Sequence, residues 1–313
     1  MADLRAILSG LSRRLSLEAD EETRQRFWRR RVRRWIKTGA AFVLTLSVIA
    51  AAYLLFVATQ GRVAANVDAP LPAAPENGAV SIAAAAELLS LPKDALRSGA
   101  LFLPNRYERR ASLFQEGAAD AVAGFVETVA RRRARDRDLD AAATLLAAPL
   151  IEAPEPADRY ASAREALRRY NARATAAKPA VDLSRPALAA AARAAAAACE
   201  AHERAVRAAA VAGRFGPAGP DAEAAFFRAR GEAFGWARLL SAYEQDLSVK
   251  LSEPLHAALD EARRPLVESA EFEPRVLFNA KPGGIAPNHL ERMATDLAAA
   301  VAAARRLDEV ASK

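Results

Sequence analysis

The chain has 313 residues, of which 27% are charged and 6% aromatic, enough for a membrane segment and one sizeable folded domain. Alanine alone makes up about a quarter of the sequence and β-branched residues are sparse, so the composition predicts an all-α fold. Residues 1–37 hold 11 basic and 5 acidic side chains, so the net charge of +7 is concentrated there and the nearly neutral remainder excludes a broad nucleic-acid-binding surface.

The first twenty residues place five aliphatic side chains at helical spacing, with arginines between them: Leu4, Ile7, Leu8, Leu11 and Leu15. This pattern favours a short amphipathic helix lying along the inner membrane surface. It is equally compatible with a loosely folded tail, so both interpretations stay open.

A basic and aromatic segment, Arg24 to Lys37, follows the tail. Arginine attracts anionic lipid headgroups at about 1 kcal/mol per residue, and tryptophan settles at the membrane–water interface. The segment directly precedes an apolar stretch, so it predicts a lipid-binding belt rather than an RNA-binding one. The predicted membrane-interface residues are Trp28, Arg29, Arg30, Arg31, Arg33, Arg34, Trp35 and Lys37.

The apolar stretch runs from Thr38 to Gln60 without one charged residue. As a helix it spans about 34 Å, enough to cross a hydrocarbon core of about 30 Å. Arginines precede it and only Arg62 follows closely, so the positive-inside rule predicts a cytoplasmic N-terminus and a periplasmic C-terminal domain. A cleaved signal peptide is the alternative, with a tolerable cleavage site at Val63–Ala65, although leader and apolar core are longer than usual.

The predicted organisation is a cytoplasmic tail at 1–37, a transmembrane helix at 38–60, a periplasmic linker at 61–80 and a periplasmic helical domain at 81–313. Three prolines favour an extended spacer in the linker. Beyond it, helical patterns separated by proline or glycine predict a bundle of six to eight helices without strands. Helices are predicted at Ser81–Leu91, Ser112–Arg135, from Asp136 onward, at Pro156–Ala177, Ser184–Ala212, Asp221–Leu251, Ser252–Ala270, and from an Asn288 cap to near the C-terminus.

Few side chains in the sequence indicate catalytic or metal-binding chemistry. A single cysteine, Cys199, excludes an internal disulfide, and three histidines leave little for a zinc site. Cys199 and His202 lie one turn apart, but a thiolate–imidazole nucleophile needs a cleft and a third group, so we expect a packed cysteine beside a solvated histidine. Five acidic residues could supply a carboxylate pair, although the sequence does not fix which of them meet: Asp120, Glu127, Glu223, Glu232 and Asp246. No catalytic, cofactor-binding or metal-binding residue is predicted.

Two glycines, Gly231 and Gly235, lie four residues apart on one face of a predicted helix. Each costs about 1 kcal/mol of helix stability relative to alanine, which indicates that another element packs closely against them. An alanine-lined helix is the expected neighbour, and a ligand is the alternative.

Four stretches of the chain resemble a bacterial family known as domain of unknown function 2333. They are Ile82–Leu91 with the FLPN and FQEG motifs after it, Tyr160–Tyr170 before Asn171, FFRARGEAFGWARLLSAYEQDL, and VLFNAKPGG with the Asn288-His289-Leu290 motif. The chain departs from the family before Pro104, where a glycine-containing loop is missing, and at Leu247, where the family tends to have an aromatic residue. The resemblance implies a Gram-negative inner-membrane protein with one N-terminal span, and it implies no activity.

The leading functional hypothesis is a non-enzymatic envelope scaffold or binding module that acts through its periplasmic helical domain. Its expected partners are the lipid bilayer, a second protein or a second copy of the chain, and no nucleic acid. The candidate partner or ligand surface comprises Gln115, Glu116, Phe227, Arg230, Trp236, Asn279, Asn288 and His289. The alternative is an envelope enzyme whose carboxylates and His289 converge near Trp236 and Asn279.

Overall fold

The structure is a computed structural model that describes residues 28, 32, 35–52, 65–90, 106–133, 135–147, 156–212, 216–247, 251–274, 276–280 and 287–313. The chain divides into two compact units, Met1–Thr59 and Gln60–Lys313. The predicted amphipathic helix at residues 1–20 lies outside the described residues.

The first unit contains the helical segment α1, Trp35–Ala52. By length and composition this segment is apolar enough to cross a membrane, and none of it is buried by other parts of the unit. Two of its hydroxyl side chains donate to carbonyl oxygens one turn back, Thr45 Oγ1 to Ala41 and Ser47 Oγ to Val43, both at 2.9 Å. Such bonds satisfy hydroxyl groups without water.

The second unit is an all-α bundle, as the composition predicts, and its described part contains eight helices and one two-residue strand pair. The elements are α2 (Val80–Leu88), α3 (Arg106–Arg132), α4 (Arg137–Ala147), α5 (Pro156–Ala172), α6 (Arg185–Ala212), β1 (Gly216–Pro217), α7 (Pro220–Leu247), α8 (Glu253–Glu271), β2 (Phe278–Asn279) and α9 (His289–Ser312). The prediction started α3 too late, at Ser112. It also placed the ends of α5 and α7 too far along the chain.

The strands β1 and β2 were not predicted. They pair antiparallel, with Gly216 opposite Asn279 and Pro217 opposite Phe278. Two residues per strand are too short to produce an alternating sequence pattern. The Asn279 side chain adds a bond of 2.8 Å from Nδ2 to the Ala210 carbonyl, which joins the pair to the last turn of α6.

Side chains at two helix ends bond to the backbone or to an opposite charge. Asn288 caps α9 by accepting a hydrogen bond of 3.0 Å from the Glu291 N–H. The Glu291 carboxylate pairs with Arg207 at 3.2 Å. At the end of α3, Arg132 pairs with Asp182 at 3.2 Å and Arg133 donates to the Val181 carbonyl.

Helix α7 is the centre of the bundle, in contact with α2, α3, α6, α8 and α9. Every residue of the segment Ala229–Leu240 is buried, including three charged residues. Two of these use backbone carbonyls as acceptors: Arg230 Nε donates to Ala270 at 2.7 Å, and Arg238 Nη1 donates to Val67 at 3.2 Å. The third, Glu232, belongs to the site described below.

Helices α3 and α7 cross at unusually close range because glycines line both surfaces. A methyl group added at Gly231 would lie 1.9 Å from the Phe114 carbonyl oxygen, and one at Gly117 would lie 2.0 Å from the Arg228 carbonyl oxygen. At Gly235 an added methyl would lie 2.5 Å from the Ala121 side chain. The predicted close approach of another helix to Gly231 and Gly235 is therefore confirmed.

The segment 65–79, predicted as part of an extended spacer, lies against the bundle. Val67 is buried, and Arg238 on α7 donates to the carbonyl oxygens of Val67, Ala69 and Pro70. The buried guanidinium needs several acceptors, and the carbonyls of Val67, Ala69 and Pro70 supply them.

Helix α2 is capped by side chains from distant parts of the chain. Asp246 on α7 accepts from the Val80 N–H at 2.7 Å and from the Ser81 N–H at 3.0 Å, while Asn171 on α5 exchanges bonds of 2.8 and 3.0 Å with the Ala79 backbone. These acceptors satisfy first-turn N–H groups that have no partner within the helix.

Candidate functional site

Three ionisable side chains from three helices meet beside the α3–α7 crossing. They are Asp120 on α3, His202 on α6 and Glu232 on α7, and one ligand atom from each lies within 4.8 Å of the others. We refer to these three residues as the carboxylate–histidine cluster. Each of them is recognisable separately in the sequence, but their meeting was not predicted.

The glycine contacts explain this convergence. Asp120 lies one turn after Gly117, and Glu232 directly follows Gly231, so the close crossing of α3 and α7 brings both carboxylates to one place. Helix α6 packs against both helices and adds His202, one turn after the buried Cys199.

Glu232 is the innermost member, with a side chain that is 1% exposed. Its Oε1 accepts a hydrogen bond of 2.7 Å from Trp236 Nε1, which fixes the orientation of the carboxylate. Its Oε2 is buried and has no hydrogen-bond partner within the described part of the chain. His202 Nε2 lies 3.6 Å from this oxygen, too far for a good hydrogen bond but close enough for an ionic interaction.

The electrostatics of the cluster are strongly coupled. Asp120 keeps an exposed edge, yet desolvation by the surrounding protein and the charge of Glu232 raise the pKa of Asp120 to about 6. Desolvation lowers the pKa of His202, but interactions with Glu232 and Asp120 outweigh it and the net shift is upward. Two carboxylates and an imidazole in this arrangement can share protons or bind a cation.

A neighbouring ion pair lies beside the cluster. Arg228 donates to Glu116 Oε2 through Nε at 2.9 Å and through Nη2 at 2.6 Å. Glu116 belongs to the candidate surface and is half-buried, as is Gln115. Since Arg228 already has a carboxylate partner, it is not required to neutralise Asp120 or Glu232.

Cys199 does not form a nucleophilic pair with His202. The thiol is buried, and burial followed by the charge of Glu232 raises the pKa of Cys199, so the reactive thiolate is disfavoured. The packed cysteine was predicted correctly. The neighbouring histidine differs from the prediction, because the His202 side chain is only 17% exposed and faces Glu232.

Four members of the candidate partner surface are internal. Phe227, Arg230, Trp236 and Asn279 are each at most 2% exposed, and they pack or bond within the bundle. The sequence-based prediction placed these four residues on a partner or ligand surface. In the structure, Phe227 packs against Arg110 of α3, Arg230 bonds α7 to the Ala270 carbonyl of α8, and Asn279 bonds β2 to the end of α6.

His289 lies in different surroundings from Trp236. Its Nδ1 accepts a hydrogen bond of 3.0 Å from the Phe278 N–H, and its ring packs edge-on against Phe272 and Phe278. The histidine that accompanies the Trp236–Glu232 pair is His202. Of the eight candidate residues, Gln115, Glu116, Asn288 and His289 keep partial exposure.

The predicted membrane-interface residues are described only in part. Trp28 and Trp35 are 55% and 73% exposed, and Lys37 is exposed. Arg29, Arg30, Arg31, Arg33 and Arg34 lie outside the described residues.

No protein-family model, no curated protein and no solved structure matches this chain. The resemblance to domain of unknown function 2333 therefore stays a prediction that rests on the motifs quoted above.

Proposed function

We propose that this protein is a single-pass inner-membrane protein of a Gram-negative bacterium whose helical domain acts in the periplasm as a non-enzymatic scaffold or binding module. Its N-terminus would be cytoplasmic, with the arginine-rich belt bound to anionic headgroups. Its partner would be a second protein or a second copy of the chain.

The observation that carries this proposal is the exposure of α1. The described large apolar side chains of the first unit are each at least 47% exposed, on a helix with two internally bonded hydroxyl groups. An apolar helix without a protein partner is stable only in an apolar surrounding, and a bilayer supplies one. The exposed Trp28 and Trp35 at its start suit the interface.

A non-enzymatic binding role is supported by the contacts of the buried polar residues in the second unit. The buried residues Arg230, Arg238, Asn171 and Asn279 all bond to backbone groups, which is a structural use. The motifs of the family resemblance thus coincide largely with packing positions, and a rigid bundle of this kind presents its outer helix faces to a partner.

The topology is tested by fusing alkaline phosphatase or a cytoplasm-active fluorescent protein to Lys313 of the full chain. We expect phosphatase activity, no fluorescence, and a chain that stays in the membrane fraction after carbonate extraction. Fluorescence of the fusion would overturn the topology. N-terminal sequencing of the mature chain separates an anchor from a cleaved signal, because cleavage near Val63–Ala65 would remove residues 1–65.

The binding role is tested by photo-crosslinking in cells from Gln115 and Asn288, two partly exposed members of the candidate surface. We expect the same crosslinked product from both sites, with a mass that distinguishes a homodimer from a second protein. Crosslinks from neither site would count against this surface. Turnover of an envelope substrate that is lost in Asp120→Asn would instead favour the alternative of an envelope enzyme.

A further inference from the structure

We propose that the carboxylate–histidine cluster of Asp120, His202 and Glu232 is a binding site for one divalent transition-metal ion. This inference goes beyond the proposed scaffold role and does not depend on which side of a membrane the domain occupies. Nothing in the spacing of these residues along the chain predicts it, since each comes from a different helix.

The geometry of the three donors suits such an ion. Ligand atoms about 2.1 Å from a tetrahedral zinc are separated by about 3.4 Å from each other. His202 Nε2 and Glu232 Oε2 are 3.6 Å apart, and all three donor atoms lie within 4.8 Å. Asp120 is exposed, so rotation of its side chain can shorten its distances to the other two ligands.

A buried oxygen without a partner is the independent observation that indicates a ligand. Glu232 Oε2 accepts no hydrogen bond from any described residue, although its side chain is 99% buried. Leaving such an oxygen unsatisfied costs about 1–3 kcal/mol, and more for a charged group. A cation between Glu232 and His202 would satisfy it.

The surroundings orient the carboxylate in the way that metal sites require. Trp236 Nε1 donates to Oε1 of Glu232 and leaves Oε2 directed at the cluster. Residues outside the ligand set commonly fix metal-binding carboxylates by such bonds. This role also explains a tryptophan N–H buried in the middle of α7.

The local charge favours a dication. With a neutral imidazole, the cluster holds two carboxylates, and Arg228, whose charge acts on Asp120 and His202, is paired with Glu116. The exposed edge of Asp120 leaves room for water as a further ligand. One nitrogen and two oxygen donors favour Zn²⁺ or Mn²⁺ over Mg²⁺ and Ca²⁺, because imidazole binds transition metals better.

The test uses the full chain without a histidine tag, purified in detergent and stripped with a chelator. Equilibrium dialysis against Zn²⁺ or Mn²⁺, followed by elemental analysis, gives the metal bound per chain. We expect one ion per chain and an affinity at least about tenfold lower in Asp120→Asn and in His202→Gln. Matched thermal melts with and without metal should show a larger stabilisation in the parent chain than in the two variants at the same metal concentration.

The matched control is His256→Gln. His256 also lies between two carboxylates, with Nδ1 at 2.6 Å from Glu244 and Nε2 at 3.9 Å from Asp260, but it is exposed. We expect this variant to bind metal like the parent chain. Equal loss in His256→Gln and His202→Gln, or no loss in either, would place the ion elsewhere and overturn the proposal.

Fluorescence provides a readout that does not depend on bound-metal counts. In a Trp28→Phe, Trp35→Phe background, Trp236 is the one remaining tryptophan, and its indole bonds to the proposed ligand Glu232. Titration with Zn²⁺ or Mn²⁺ should change the emission of Trp236. The dissociation constant from this titration should equal the one from equilibrium dialysis. Absence of both binding and a spectral change for Zn²⁺ and Mn²⁺ would identify the cluster as an ion pair that binds no metal.

Discussion

Charged side chains of α7 that are buried or half-buried bond to several kinds of partner. Arg230 and Arg238 donate to carbonyl oxygens, Glu232 accepts from an indole, and near the end of the helix Asp246 accepts from the backbone of α2. A buried ionised group is tolerated only when such bonds replace its hydration. These side chains therefore determine which segments can pack around α7.

Replacing Asp246 with alanine should lower the free energy of unfolding by about 2 kcal/mol. The change removes the acceptor of the Val80 and Ser81 N–H groups and of the Ser81 hydroxyl. Urea denaturation of the parent chain and the variant measures the difference. Glu309→Ala, at an exposed position on α9, is the control and should change little.

His289 should make the domain less stable in mild acid. Burial, and then the charge of Arg292, lower the pKa of His289 in the folded state. The unfolded chain therefore binds the proton more readily, and stability that is complete above a pKa of about 6.5 is lost as the pH falls through the folded value. Protonation also removes the Nδ1 acceptor of the Phe278 N–H.

The measurement is the free energy of unfolding of the parent chain and of His289→Gln between pH 7.5 and pH 5. We expect the stability difference between the two proteins to shrink as the pH falls, since glutamine does not titrate. Taking this difference cancels the contributions of other groups, including His202, whose pKa is shifted upward. A difference that stays constant with pH would contradict the prediction.

At the level of helices, the close crossing of α3 and α7 depends on glycine. Gly117, Gly231 and Gly235 let backbone atoms of the two helices approach within a distance that any side chain would prevent. This crossing also determines how far apart Asp120 and Glu232 lie. Stability of the bundle and assembly of the cluster are thus coupled.

Gly231→Ala should destabilise the domain by about 2–3 kcal/mol through overpacking, even though alanine favours a helix by about 1 kcal/mol. The added methyl group would lie 1.9 Å from the Phe114 carbonyl oxygen. The matched control is Gly219→Ala, where an added methyl meets no atom within 4 Å. Chemical denaturation of both variants tests the contrast, and equal effects would show that the crossing is not the cause.

Elements whose causes are local were predictable from the sequence. The Asn288 cap acts within one turn of α9, and the Gly231–Gly235 spacing can be read along one face of α7. The capping of α2, the docking of segment 65–79 and the carboxylate–histidine cluster join residues far apart in sequence. No periodicity records such contacts, so the sequence could only name their members separately.

For the whole molecule, the feature that bears on location is α1, which is apolar apart from Lys37 near its start. Leu44→Arg together with Val48→Arg should release the chain from the membrane fraction, because each arginine at the centre of a span costs about 2.5–3.5 kcal/mol. Leu44→Ala with Val48→Ala is the control and should stay membrane-bound. Carbonate extraction and immunoblotting compare the two, and retention of the arginine variant would argue against a span.

The long-range capping of α2 has a consequence for synthesis of the chain. The helix begins at Val80, but the acceptors of its first turn are Asn171 and Asp246, up to 166 residues later. At a ribosomal rate of about 5–20 residues per second, the nascent helix waits on the order of ten seconds for them. During that interval the apolar face of α2 has none of its final neighbours from α5 and α7. A chaperone that shields nascent chains would therefore have the segment around Val80 as a target until α5 and α7 have been made.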